Sequence, residues 1–255
     1  MKRHQIAAQL YSIRDFIQTP QDIATSMKKI RAIGYQAVQV SGMGTIEESE
    51  LMHILDSEGL TCCATHEATK LIVEEPQRVV ERLHRLNCKY TAVPSPGQFE
   101  LKTREQVLEY SKRMDDAGKV LYEAGQVLTY HNHHMEFRRL EGELILDTVY
   151  AQTDVRYLQG EIDTYWVQYG GGDVVGWCEK LKGRLPLIHL KDYQITDDNK
   201  PDFAEVGQGN LNWSEIIPAA EKSGCEWFIV EQDTTPGDPF DSLKISFDYL
   251  AALAS

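Results

Sequence analysis

The sequence contains no stretch approaching the roughly 18 consecutive apolar residues of a membrane-spanning helix. Its opening residues, Met1-Lys-Arg-His-Gln-Ile6, lead into a short apolar run without the apolar core of a secretory signal. A cytoplasmic location is therefore the expectation. Positive charge is also scarce: 26 Lys and Arg stand against 39 Asp and Glu, for a formal net charge of −13. A field of that sign repels phosphate backbones and anionic lipid, and no local basic patch offsets it, so neither nucleic acid nor a membrane is an expected partner. Cysteine is sparse. Cys62, Cys63, Cys88, Cys178 and Cys225 are odd in number and lack C-x-x-C spacing, which argues against a disulfide framework and a thiolate zinc site and favours reduced, buried thiols. No linker rich in Ser, Pro or Gly interrupts the chain, so residues 1–255 read as one domain.

What is present is an alternation of short apolar runs with longer helix-like segments from one end to the other. The runs are Ile6–Tyr11, Ala37–Ser41, Thr61–Thr65, Thr91–Val93, Val127–His131, Leu158–Asp163, Leu185–Leu190 and Trp227–Glu231. Between them Thr19 can cap a helix that has Pro20 in its first turn, and Gly34 and Gly125 each close a helix just before a strand. The longest irregular segments, around Pro94–Phe99, Glu136–Glu143 and Tyr193–Gly209, all follow a strand. This pattern predicts a single (β/α)8 TIM barrel with its site on the face where the βα loops gather. A doubly wound open sheet is the alternative.

In a barrel, convergent chemistry comes from polar side chains at the C-terminal ends of different strands. His131, Asp163, His189 and Glu231 hold such positions on consecutive strands five to eight. Each alone reads more readily as a hydrogen-bonded loop anchor than as a ligand. Together they supply two imidazoles and two carboxylates, a mixed nitrogen and oxygen set suited to one divalent ion: Mn²⁺ foremost, with Mg²⁺, Co²⁺ or Zn²⁺ as alternatives.

The segments Tyr130-His-Asn-His133, Asp163-Thr-Tyr-Trp-Val-Gln168 followed by Gly170-Gly-Gly-Asp173, His189-Leu-Lys-Asp192, Glu205-Val-Gly-Gln-Gly209 and Val230-Glu-Gln-Asp233 extend over much of the chain. Through them the sequence resembles the xylose-isomerase-like barrel superfamily, which contains sugar phosphate isomerases and epimerases, inosose dehydratases and endonuclease-IV-type repair enzymes. The resemblance implies one divalent metal held through Asp163, His189 and Glu231. The strand-five ligand is left open among His131, placed first, His133 and Glu136, because many relatives carry glutamate there. Relatives that epimerise use glutamates on strands five and eight as an acid/base pair, whereas this chain keeps Glu231 and offers histidines in place of the other.

Further candidates lie nearby. His66 and His133 are candidate acid/base groups beside Glu231, with a structural histidine as the alternative for His66. Trp166 offers an apolar wall for a sugar ring or a core packing group. Lys191, two residues past His189 and so on the same face of a strand, can hold an oxyanion or pair with Asp192 or Glu205. Glu136 and Glu205 complete the expected substrate contacts, the latter beside Gly207 and Gly209, which allow close backbone approach. The expected activity is a metal-dependent sugar isomerase or epimerase that removes a proton next to a carbonyl. The alternative is a lyase or dehydratase acting by elimination on a keto-cyclitol or 3-keto glycoside. The expected partner is a small sugar or cyclitol, with homo-oligomerisation left open.

Overall fold

The computed structural model describes residues 1–254. Eight parallel strands close into a barrel: β1 (Ile6–Gln9), β2 (Ala37–Val40), β3 (Thr61–His66), β4 (Tyr90–Val93), β5 (Val127–His131), β6 (Leu158–Asp163), β7 (Leu187–Leu190) and β8 (Trp227–Val230). Each strand pairs with its neighbour in sequence, and β1 closes the ring on β8 through Ile6↔Phe228 and Ala8↔Val230. This is the (β/α)8 barrel expected from the alternation of strand and helix signals. The doubly wound sheet is excluded by the closing β1–β8 pairing.

Local chemistry accounts for the connections. Thr19 accepts a hydrogen bond from the Asp22 N–H at the start of the Pro20–Ile33 helix, and Thr103 and Gln106 form a reciprocal capping box on the Arg104–Glu123 helix. Gly34 ends the first of these helices at φ +127°, where a Cβ would meet the Phe247 ring at 2.5 Å. Two small hairpins decorate the βα face, one after β5 (Arg139–Leu140 with Glu143–Leu144) and one after β7 (Asp192–Ile195 with Pro201–Ala204). No helix among the described residues is long and apolar enough to cross a membrane. All five cysteines are buried and unpaired, as their spacing suggested.

The barrel interior is layered. A small apolar plug fills one end: Ala7, Ala37, Cys63, Ala64, Tyr90, Leu187 and Ile229. Two residues past Ala7, Ala37 and Leu187 the inward side chains become polar, at Gln9, Gln39 and His189, and Glu161 of β6 joins them. Gln9 donates to Gln39 at 2.8 Å, and Gln39 donates to both oxygens of Glu161 at 3.1 Å. A bulge in β3, where the pairing jumps from Val38↔Cys62 to Gln39↔Ala64, rephases that strand so that Ala64 joins the plug and His66 reaches Glu161. The larger apolar core lies between the barrel and its helices.

Candidate metal centre

His131, Asp163, His189 and Glu231 come together at the C-terminal end of the barrel, buried, with one ligand atom from each lying within 4.8 Å of the others. The registers set this up. His131 is paired with Glu161, Asp163 with His189, and Ile229 with His189, so residues close to one level of adjacent strands face the same point. His131 Nε2 is 3.2 Å from Asp163 Oδ2, His189 Nδ1 is 2.9 Å from Glu231 Oε2, and His189 Nδ1 is 3.9 Å from Asp163 Oδ2.

These separations suit a common ion, because donors at about 2.1 Å in an octahedral shell stand about 3 Å apart when adjacent and about 4.2 Å when opposite. The outer ring nitrogens fit as well. His131 Nδ1 is 3.3 Å from the Pro94 carbonyl, and His189 Nε2 is 2.7 Å from Glu161 Oε1 and 2.7 Å from Gln39 Oε1. A ligating histidine donates its other N–H to such an acceptor, which fixes the tautomer and leaves the inner nitrogen free for the metal.

Electrostatics tie the cluster together. Burial disfavours charge on Asp163 and Glu231, but Lys191 with His131 for the first, and Lys191 with His189 for the second, outweigh it and hold both carboxyls below their ordinary range. Burial also opposes charge on His189, yet Glu161 and Glu231 on either side lift it to about 10. His131 is lowered, first by burial. Three members of this network escaped the sequence reading: Glu161, Gln39 and Asp233. Glu161 had a signal, since it precedes Asp163 by two on one strand and must share its face.

A cavity of about 450 Å³ opens onto the cluster, lined in part by Tyr11, Arg14, His66, His133, Lys191 and Asp233. His66 Nε2 lies 2.7 Å from Glu161 Oε1, leaving Nδ1 for a ligand. His133 presses on Trp166 with ring centroids 5.4 Å apart, and its buried Nδ1 has no partner among the described residues. Burial, followed by the neighbouring His131 and Lys191, lowers His133 to about 3, so it is neutral at physiological pH. Trp166 joins an aromatic group with His134, Tyr165, Tyr169 and Phe203 behind His133 and is not among the cavity-lining residues.

The remaining acidic residues named from the sequence turn elsewhere. Glu136 accepts from Tyr130 Oη and from the His133 N–H, both at 2.9 Å, and is not a member of the four-residue cluster. Glu205 accepts from Ser242 Oγ at 2.7 Å and does not line the cavity. The glycines after it do permit a close approach, but to a carboxylate of the chain itself. Asp192 Oδ2 receives Gly207 N at 2.9 Å, Gly209 N at 3.1 Å and Trp213 Nε1 at 2.7 Å, while Oδ1 receives the N–H groups of Tyr193 and Leu211. A Cβ at Gly209 would stand 2.5 Å from Asp192 Oδ1.

Comparison with known proteins agrees with this architecture. The chain is 28% identical over 141 residues to an inosose dehydratase of Geobacillus thermodenitrificans, covering 49% of this chain and 47% of the relative. It is 26% identical over 204 residues to the inosose dehydratase of Geobacillus kaustophilus, covering 68% and 66%. The match thus spans about half to two thirds of these relatives. A solved sugar phosphate isomerase/epimerase from Parabacteroides distasonis superposes with a TM-score of 0.83 at 21% identity, over 99% of this chain and 95% of that one. Dehydratases and isomerases/epimerases therefore share this fold. The family described as xylose isomerase-like TIM barrel matches residues 27–253, and the chain belongs to it.

Proposed function

We propose that this protein is a metal-dependent enzyme that removes a proton next to a carbonyl on a polyhydroxylated ring, with loss of a β-oxygen substituent as the favoured outcome. His131, Asp163, His189 and Glu231 would hold the metal. A divalent ion bound there supplies Lewis acidity, polarising a carbonyl and acidifying the neighbouring C–H. The chain's own groups supply the proton traffic. His133 borders the cavity and is neutral, so it starts in the protonation state of a proton acceptor, although burial makes its ring a weak base until substrate binds. His66, whose Nε2 faces Glu161, would have to carry a second proton on Nδ1 as the imidazolium in order to deliver it to a leaving oxygen, returning to the neutral ring afterwards.

The observation that carries elimination is the direction of Glu136. With that carboxylate committed to Tyr130 and the His133 backbone, β5 and the turn after it offer the site imidazoles, and no carboxylate from this segment faces Glu231 across it. The similarity to inosose dehydratases supports the same reading. Isomerisation or epimerisation of a ketose is the second reading, supported by Glu231, the carboxylate expected on strand eight, which borders the cavity together with His66, His131 and His133. Reactions in deuterated water with Mn²⁺ separate the two. A keto-cyclitol or 3-keto glycoside is expected to give an unsaturated product, with water or the aglycone released. Deuterium appearing in recovered or epimerised ketose without such a product would favour the second reading, and no rate stimulated by Mn²⁺ on any of these substrates would sink both.

A further inference from the structure

The two carboxylate oxygens that turn toward the centre of the cluster already have a cation between them. Lys191 Nζ lies 3.0 Å from Asp163 Oδ2 and 2.8 Å from Glu231 Oε2, the same atoms that meet His131 Nε2 and His189 Nδ1. The lysine side chain is only 1% exposed, so bulk water does little to solvate the ammonium. A divalent ion drawing on those oxygens would need the space and the negative charge that the ammonium now uses. Two cations in one such buried space repel strongly. A third carboxylate is within reach: Asp233 Oδ2 stands 3.2 Å from Nζ, is more exposed at 25%, and borders the cavity. A lysine stem is flexible enough to exchange one carboxylate for another by rotation about its own bonds.

We propose that Lys191 is the resident counter-ion of this site in the metal-free protein, that it competes with the divalent ion for Asp163 and Glu231, and that metal entry shifts its ammonium onto Asp233. This rests on the metal-dependent reading above. The lysine would then set the metal affinity: it holds the cage together when no ion is bound and must give way when one is.

The test is Mn²⁺ titration of chelator-treated protein by calorimetry, with melting temperature as a second readout. Lys191→Met is expected to bind Mn²⁺ at least roughly ten-fold more tightly than the parent protein. It should also melt lower in chelator and gain more on addition of Mn²⁺. Asp233→Asn, which weakens the alternative resting place, is expected to bind Mn²⁺ more weakly. Binding by Lys191→Met that equals the parent's or falls below it overturns the competition while leaving the metal reading intact. Absence of Mn²⁺ binding in both proteins overturns the two together. Should metal-free Lys191→Met not fold, Lys191→Gln prepared with Mn²⁺ throughout gives the same discrimination: slower release of Mn²⁺ to a chelator than from the parent supports the proposal, and equal or faster release overturns it.

Discussion

Glu161 Oε1 lies 2.7 Å from His189 Nε2, on the opposite edge of the ring from Glu231. Glu161 thus serves the cluster without belonging to it. It directs an N–H of His189 away from the centre, turns Nδ1 toward Asp163 and Glu231, and steadies His66 at the same time.

Replacing Glu161 therefore tests whether His189 is a ligand. Glu161→Gln is expected to lower Mn²⁺ affinity by about 10–100-fold, the usual effect of losing such an outer partner. Glu161→Ala should additionally cost about 3–5 kcal/mol of stability, because it leaves His189 buried between fewer partners. Calorimetric titration and urea unfolding read the two effects. Unchanged metal affinity in Glu161→Gln would mean that His189 Nδ1 does not hold the ion.

Asp163→Asn and Glu231→Gln address the ligands directly. Each variant keeps the side-chain shape but removes a charge that Lys191 uses and that the proposed metal would use. Turnover should fall by at least about two orders of magnitude, and the metal content of protein purified in Mn²⁺ should fall with it. Full activity with normal metal content in both variants would place the reactive centre elsewhere in the cavity.

The barrel was legible because its evidence recurs along the chain: short apolar runs, most with polar ends, and glycine stops ahead of several strands, as at Gly34, Gly125 and Gly224. His131, Asp163, His189 and Glu231 were legible as strand-end residues because such ends can be located within a residue or two, and the fold brings the four together. The rest depended on distances between side chains from different strands. Nothing local marks Lys191 as sitting between Asp163 and Glu231, since the contact joins β6, the end of β7 and the end of β8. Glu136 and Glu205 were drawn toward the site by proximity in sequence. Hydrogen bonds to Tyr130 and Ser242 take their carboxylates elsewhere. Gly207 and Gly209 correctly indicated close backbone approach, but a single sequence does not show that the group approached is Asp192.

Glu136 makes a prediction about pH. Burial raises its carboxyl from an ordinary 4.5 to about 7, against the lowering pull of the His133 N–H and the Tyr130 hydroxyl. A group whose folded value lies above its unfolded one stabilises most below the unfolded value and loses that contribution as pH rises through the folded one. Protein carrying Glu136 should therefore lose up to about 3 kcal/mol between pH 5 and pH 8 relative to Glu136→Gln, whose amide can replace the protonated acid toward both partners. Urea unfolding of the two proteins at pH 5, 6, 7 and 8 measures the difference. A constant gap between them across that range would show that Glu136 stays ionised in the fold.

On the proposed reading, the two histidines of β5 and its following turn divide metal binding from proton transfer. His131 faces Asp163 through Nε2 and anchors Nδ1 on the Pro94 carbonyl, which is how a ligand is held. His133 borders the cavity, is neutral, and has a buried Nδ1 that no described residue satisfies. His131→Ala should thus lose Mn²⁺ affinity and turnover together. His133→Ala should bind Mn²⁺ as the parent does yet lose about 10²–10⁴-fold in turnover, the usual contribution of a positioned acid or base. Steady-state rates with saturating Mn²⁺ and separate metal titrations distinguish the two behaviours. If His133→Ala loses the metal while His131→Ala keeps it, the roles are exchanged, and the acid/base group must be sought at His131, whose ring lies 5.2 Å from that of His66.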